Sequence, residues 1–187
     1  MHKIFKRLML TAALLTVPWV LQAQTHYTVA VGSGTDSSGY VPSYSWEYNF
    51  SQTIVRANEI GVDGVIDAIA FQVGSRNATR QLAIYMAELS KGSYSGGSDV
   101  VGGSHFQQVF SGTVTFSPGW VAIPLNNTFT YHDTADLIIT VLDATGTYNS
   151  VYPFYRGTNS TDGYRSLYDY DMYQCERCER KGADSRG

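Results

Sequence analysis

Between residues 65 and 142 the chain repeatedly sets an apolar side chain at every second position, and this alternation constrains the fold more than any other feature. Leu82, Ile84 and Met86 alternate with Gln81, Ala83 and Tyr85, and Phe110, Val114 and Phe116 alternate with Ser111, Thr113 and Thr115. Val121, Ile123 and Leu125 form the next set, and residues 65–73 place Val65, Ile69, Phe71 and Val73 on one face. Successive side chains of a strand point to opposite faces, so a period of two marks half-buried strands. Residues 137–142 are apolar on both faces, which predicts a central strand. Ser117-Pro118-Gly119 predicts a hairpin between the flanking strands, because Pro118 presets φ and Gly119 accepts positive φ. Further strands are predicted at 27–31, 48–55, 151–156 and 166–170, and a single helical turn at 57–60. Gly- and Ser-rich segments 32–39 and 91–104 read as surface loops. The expected fold is all-β: a jelly-roll-like antiparallel β-sandwich of about nine strands.

Composition agrees with short strands rather than helices. Only 16% of the 187 residues are charged, too few to solvate the outer faces of a helical bundle, while 14 Tyr raise the aromatic share to 13%. The N-terminus reads as an export signal, residues 1–23: Lys3, Lys6 and Arg7 precede an apolar stretch at 8–21, and Leu21-Gln22-Ala23 resembles a cleavage site. The alternative is an uncleaved anchor, for which the stretch is short. The predicted domain, 24–174, holds six bases and 13 acids, a net charge of −7, and has no Cys. That charge offers no footprint for nucleic acid, and the mature chain has no second apolar run to insert in a membrane. Residues 175–187 read as an unstructured charged tail containing Cys175 and Cys178, which lack the context of a redox or zinc site.

The order of short motifs resembles a known class of module. The run is Val31-Gly32-Ser33-Gly34-Thr35, Tyr40-Val41-Pro42-Ser43-Tyr44, Ser51-Gln52-Thr53-Ile54-Val55, Glu59-Ile60-Gly61 and Ile69-Ala70-Phe71. It continues through Arg80-Gln81-Leu82-Ala83-Ile84-Tyr85-Met86, Val109-Phe110-Ser111-Gly112-Thr113-Val114, Gly119-Trp120-Val121 and Asn126-Asn127-Thr128-Phe129-Thr130-Tyr131. Over residues 28–170 it is similar to the β-sandwich modules of Bacteroidetes secreted and cell-surface proteins, adhesin-like and often associated with fibronectin type III repeats. The resemblance implies a surface location and implies that Thr134, in Asp133-Thr134-Ala135, is an O-glycosylation position. Related modules continue past Tyr168-Asp169-Tyr170 into a further apolar strand, whereas here the charged tail follows, which suggests a truncated product.

The chemistry-bearing residues point to binding more than to catalysis. There is no G-x-S-x-G elbow, no HExxH and no calcium loop of the DxDxDG type. Glu47, Glu59 and Glu88 are the carboxylates a glycosidase would draw on, but nothing in their spacing singles out a pair. Asp133 with Asp136, and Asp169 with Asp171, offer oxygen ligands of the kind a structural calcium takes, though solvated surface carboxylates are the favoured reading. No other cofactor is expected. Aromatics cluster in two segments, Tyr40, Tyr44, Trp46 and Tyr48, then Tyr148, Tyr152, Phe154 and Tyr155. From these, Tyr44, Trp46, Tyr152 and Tyr155 are the candidate ligand-binding residues, since exposed rings stack on sugars; the competing reading is cross-strand packing. The expected function is a non-enzymatic, exported module for adhesion or ligand binding, its partner a glycan or surface protein. The alternative is a structural spacer of a larger surface protein, and a carboxylate-dependent glycoside hydrolase is the third reading.

Overall fold

A computed structural model describes residues 26–150, 153–159, 161 and 163–170. The predicted export signal, the charged tail, Tyr152 and Asp171 lie outside the described residues. Nine strands and one helical turn follow in order: β1 Asp36–Ser38, β2 Asn49–Val55, α1 Ala57–Ile60, β3 Gly64–Ser75, β4 Ala78–Glu88, β5 Gln107–Phe116, β6 Gly119–Tyr131, β7 Leu137–Asp143, β8 Phe154–Gly157 and β9 Ser166–Asp169. One sheet has the order β1-β8-β3-β6 and the other β5-β4-β7-β2-β9. All pairings are antiparallel, and β1 meets β8, β2 meets β7, β3 meets β6 and β4 meets β5. This nested pairing is a long antiparallel ribbon wound over itself, the jelly-roll arrangement. The strand β9 adds to it beside β2.

The alternation in the sequence fixes the inner faces. Leu82, Ile84 and Met86 of β4, Val114 and Phe116 of β5, Ile123 of β6 and Val141 of β7 all enter the main core. The strand β7 lies between β4 and β2 and is buried almost throughout, as its two apolar faces require. A second apolar layer lies on the far side of this sheet. There Ile54, Ile138 and Leu167 pack with Tyr94, Leu89, Val100, Val101 and Phe106 from the long β4–β5 connection. Gln52, fully buried, pins that connection: its Nε2 donates to the Val101 carbonyl (2.9 Å) and to Thr140 Oγ1 (2.8 Å), and its Oε1 accepts from Val101 N–H (2.9 Å) and the Tyr94 hydroxyl (3.1 Å). The segment read as a surface loop at 91–104 is therefore partly a packed cover.

Three sequence expectations need correction. The Ser117-Pro118-Gly119 turn forms with Gly119 at φ +111°, but it carries the chain from one sheet to the other, so β5 and β6 are not ladder partners. Turn chemistry sets a chain reversal and not the sheet that the next strand joins. The two edges are stitched instead by side chains: Ser111 N–H donates to Asn126 Oδ1 (2.7 Å), Gln107 Nε2 to the Thr128 carbonyl (2.9 Å) and Asn127 Nδ2 to the Gln108 carbonyl (3.3 Å). Val65 is 59% exposed, because the β3–β6 register shifts between Ile66 and Ala68 and gives the inward position to Ile66. Residues 27–31 form no strand, whereas Asp36–Ser38, inside the predicted Gly-rich loop, pairs with Tyr155–Gly157 as an edge strand.

Candidate ligand-binding surface

At the β9 end of the sandwich the space between the sheets changes from apolar to polar. Register places Asn49, Ser51 and Thr53 of β2 and Asp143 of β7 on the same face as the core residue Val141. Arg80 occupies the same phase of β4 as Leu82 and Ile84 and is 2% exposed. Its Nε donates to Asp143 Oδ2 at 2.5 Å. The same oxygen accepts from Ser43 Oγ (2.5 Å) and Asn49 Nδ2 (3.2 Å), and Oδ1 accepts from Thr145 N–H (3.0 Å) and Thr145 Oγ1 (2.5 Å). A buried ion pair persists only when its remaining hydrogen-bonding capacity is met, and here five donors meet the carboxylate.

This network fixes two irregular segments above it. Arg80 also donates to the carbonyls of Trp46 and Thr147. Asn49 clamps the Tyr44 backbone from both sides, accepting its N–H (3.1 Å) and donating to its carbonyl (3.3 Å). Ser51 Oγ donates to the Pro42 carbonyl (2.8 Å). The segments 44–48 and 146–149 are then tied together, Gly146 N–H to Glu47 and Asn149 N–H to Ser45, each at 2.8 Å.

What these segments hold outward is a layer of rings. Tyr40 lies against Tyr168 of β9, centroids 4.2 Å apart and 13° from parallel, and against Tyr44 at 4.7 Å. Trp46 stacks on Tyr170 at 5.6 Å and meets Tyr148 edge-on at 5.7 Å. Five of the six are exposed by more than a third, from Tyr40 at 38% to Tyr148 at 57%. Burial and the neighbouring phenols of Tyr40, Tyr170 and Tyr44 push the Tyr168 hydroxyl above its ordinary pKa. Scattered exposed aromatics are common, but a contiguous layer on a braced support is not.

The sequence candidates divide accordingly. Tyr44 and Trp46 are both in the layer, together with Tyr148. Tyr155 is not: it is 2% exposed and packs edge-on against Phe116 at 5.2 Å in the main core. Burial pushes the pKa of its hydroxyl upward. Tyr168 and Tyr170 were missed because β9 reads as a weak strand with no sign of which loop would cover it. The signal for the support was present, as Arg80 interrupts an otherwise apolar phase of β4.

The carboxylate candidates have structural partners. Asp136 accepts from the N–H groups of Ala57 (3.2 Å), Lys91 (3.2 Å) and Gly92 (2.7 Å), which hold its carboxyl below the usual range against the effect of burial. Asp133 accepts from the Tyr131 hydroxyl (3.4 Å), and Asp169 from Tyr170 N–H (2.7 Å). Asp136 precedes Leu137, opposite Val55, whereas Asp169 lies opposite Phe50. Five residues of extended strand separate those positions, roughly 17 Å, too far for Asp136 and Asp169 to share an ion. No group of three or more metal-capable side chains occurs among the described residues. Thr134 is exposed, but its hydroxyl donates to Glu88 (3.0 Å), a bond that glycosylation would remove. No described helix is long and apolar enough to cross a membrane. Comparison with protein-family models, curated proteins and solved structures finds no match to this chain.

Proposed function

We propose that this chain is an exported, non-enzymatic β-sandwich module that binds carbohydrate through the aromatic layer formed by Tyr40, Tyr44, Trp46, Tyr148, Tyr168 and Tyr170. The observation that supports it is the exposure of five of these six rings, with Tyr44, Trp46 and Tyr148 on segments braced by the Arg80–Asp143 network. Rings held in place before binding lose little conformational freedom when a ligand stacks on them. Export is supported by the charged and apolar pattern of residues 1–23. Two of the three carboxylates considered for hydrolysis, Glu59 and Glu88, are better explained as structural. Glu59 accepts from Arg56 N–H (2.9 Å) and pairs with Arg165, while Glu88 is bound by the turn at 132–135. Both are held below their ordinary pKa, against the effect of burial, by these bonds, so neither is poised to donate a proton at neutral pH.

The test is a glycan array probed with the labelled protein beside Trp46→Ala and Tyr148→Ala, their folds checked by circular dichroism. Saturable binding that both variants lose supports the reading. An array with no signal above background, or signal unchanged in both folded variants, overturns it and favours the spacer role.

A further inference from the structure

The aromatic layer has an internal order that bears on what lies across it. Tyr168 and Tyr170 occupy alternate positions at the end of β9, and Tyr44 and Trp46 alternate in the facing segment. The rings sort into two groups with this period: Tyr168 with Tyr40 and Tyr44, and Tyr170 with Trp46 and Tyr148. Along β9 the chain is extended, and the two residues from Tyr168 to Tyr170 advance about 7 Å. Rings offset by that distance are not covered by one sugar face but are reached by successive rings of a linked chain.

Charge narrows the ligand further. Segments 40–48, 144–150 and 166–170, which build the layer, contain Glu47 and Asp169 and no Lys or Arg. The guanidinium beneath them, Arg80, is buried and paired with Asp143. Asp169 shares the phase of Leu167 and turns toward the other face of the sheet, so a uronate- or sulfate-bearing polymer would meet the like charge of Glu47, with no Lys or Arg in these segments. A neutral chain meets in Glu47 an exposed carboxylate that accepts hydrogen bonds from its hydroxyls.

Resting on the proposed carbohydrate function, we infer that the layer is a two-subsite platform for an extended, uncharged oligosaccharide, one group of rings serving each subsite. A monosaccharide fills half of it, and a chain of two or three units engages both groups. The subsites share a rigid support, so occupying the second costs little further ordering, and affinity climbs steeply between one unit and two or three.

Isothermal titration tests this with glucose-, mannose-, xylose- and N-acetylglucosamine-based neutral oligomers of one to six units, and with oligogalacturonates of matching length. For the series that binds, the expected result is at least a tenfold gain from one unit to three, which corresponds to about 1.4 kcal/mol, and little gain beyond. Tyr168→Ala and Trp46→Ala should each flatten that length dependence, reducing the trimer to the affinity of the monomer. Oligogalacturonates should bind at least tenfold more weakly at low salt, with the gap closing as salt is added. Monomer and hexamer binding equally would overturn the two-subsite inference while leaving carbohydrate binding standing. So would uronates binding best. A protein that binds none of the neutral or acidic oligomers, yet unfolds cooperatively, would overturn the underlying reading as well.

Discussion

The support beneath the aromatic layer makes a sharp prediction at Asp143. Asp143→Asn keeps the shape of the side chain and removes its charge, leaving the Arg80 guanidinium, 2% exposed, without a counter-ion. The amide also turns a donor toward groups that are themselves donors. Of the five hydrogen bonds to the carboxylate, those from Ser43 and Thr145 Oγ1 can reverse by rotating a hydroxyl, but those from Arg80 Nε and Thr145 N–H cannot. Breaking a buried pair from one side costs about 3–5 kcal/mol, against a total stability on the order of 5–15 kcal/mol. For a domain of this size that lowers Tm by roughly 10 °C or more. Urea unfolding followed by circular dichroism measures the loss directly, and tryptophan emission in a Trp120→Phe background reports on Trp46, whose carbonyl Arg80 holds. The double variant Arg80→Met/Asp143→Asn removes the stranded charge and should be at least as stable as Asp143→Asn alone. A single variant within about 1 kcal/mol of the parent, or a double variant as costly as two independent losses, would refute the claim that a desolvated ion pair braces this end of the sandwich.

Other positions give separable outcomes. Gln52→Leu strands the Tyr94 and Thr140 hydroxyls and both backbone groups of Val101, so it should cost about 2–4 kcal/mol in urea unfolding and raise proteolysis within 89–106. Partial burial pushes the Glu88 carboxyl up, but bonds from Thr134, His132 and the local backbone outweigh this and hold it at about 2, below its ordinary 4.5. A depressed folded pKa stabilises above the unfolded value, so this contribution is complete above about pH 4.5 and lost as pH falls toward 2; Glu88→Gln should flatten the Tm–pH curve in that window, and an unchanged slope would assign the acid sensitivity to other groups. The register shift in β3 predicts that Val65→Ser changes stability by less than about 0.5 kcal/mol, whereas Ile66→Ser is clearly destabilising by thermal melt.

The residues legible from sequence alone were those whose environment is set by their own strand. Leu82, Ile84, Met86 and Val141 alternate and are buried, and the two-faced run at 137–142 is central because both faces need covering. Val65 was misplaced by an irregularity that involves two strands and leaves no mark in either sequence alone. The Ser117-Pro118-Gly119 turn was legible as a turn but not as a crossing between sheets, since that choice is made by the long-range pairing of β3 with β6. The aromatic surface shows the same division. Tyr44 and Trp46 stood out by clustering, but Tyr155 belongs to a strand paired on both sides, where a large ring is more stable as core, and Tyr168 and Tyr170 become partners of Tyr40 and Trp46 only when β9 docks beside β2. The polar exceptions were the most informative marks available. Arg80 in the phase of Leu82, and Asp143 in the phase of Val141, are costly there unless each is the other's partner. An arginine on the inward phase of one strand therefore predicts a carboxylate on the inward phase of another, and here the two identify adjacent strands β4 and β7 and the end of the sandwich where its interior stops being apolar.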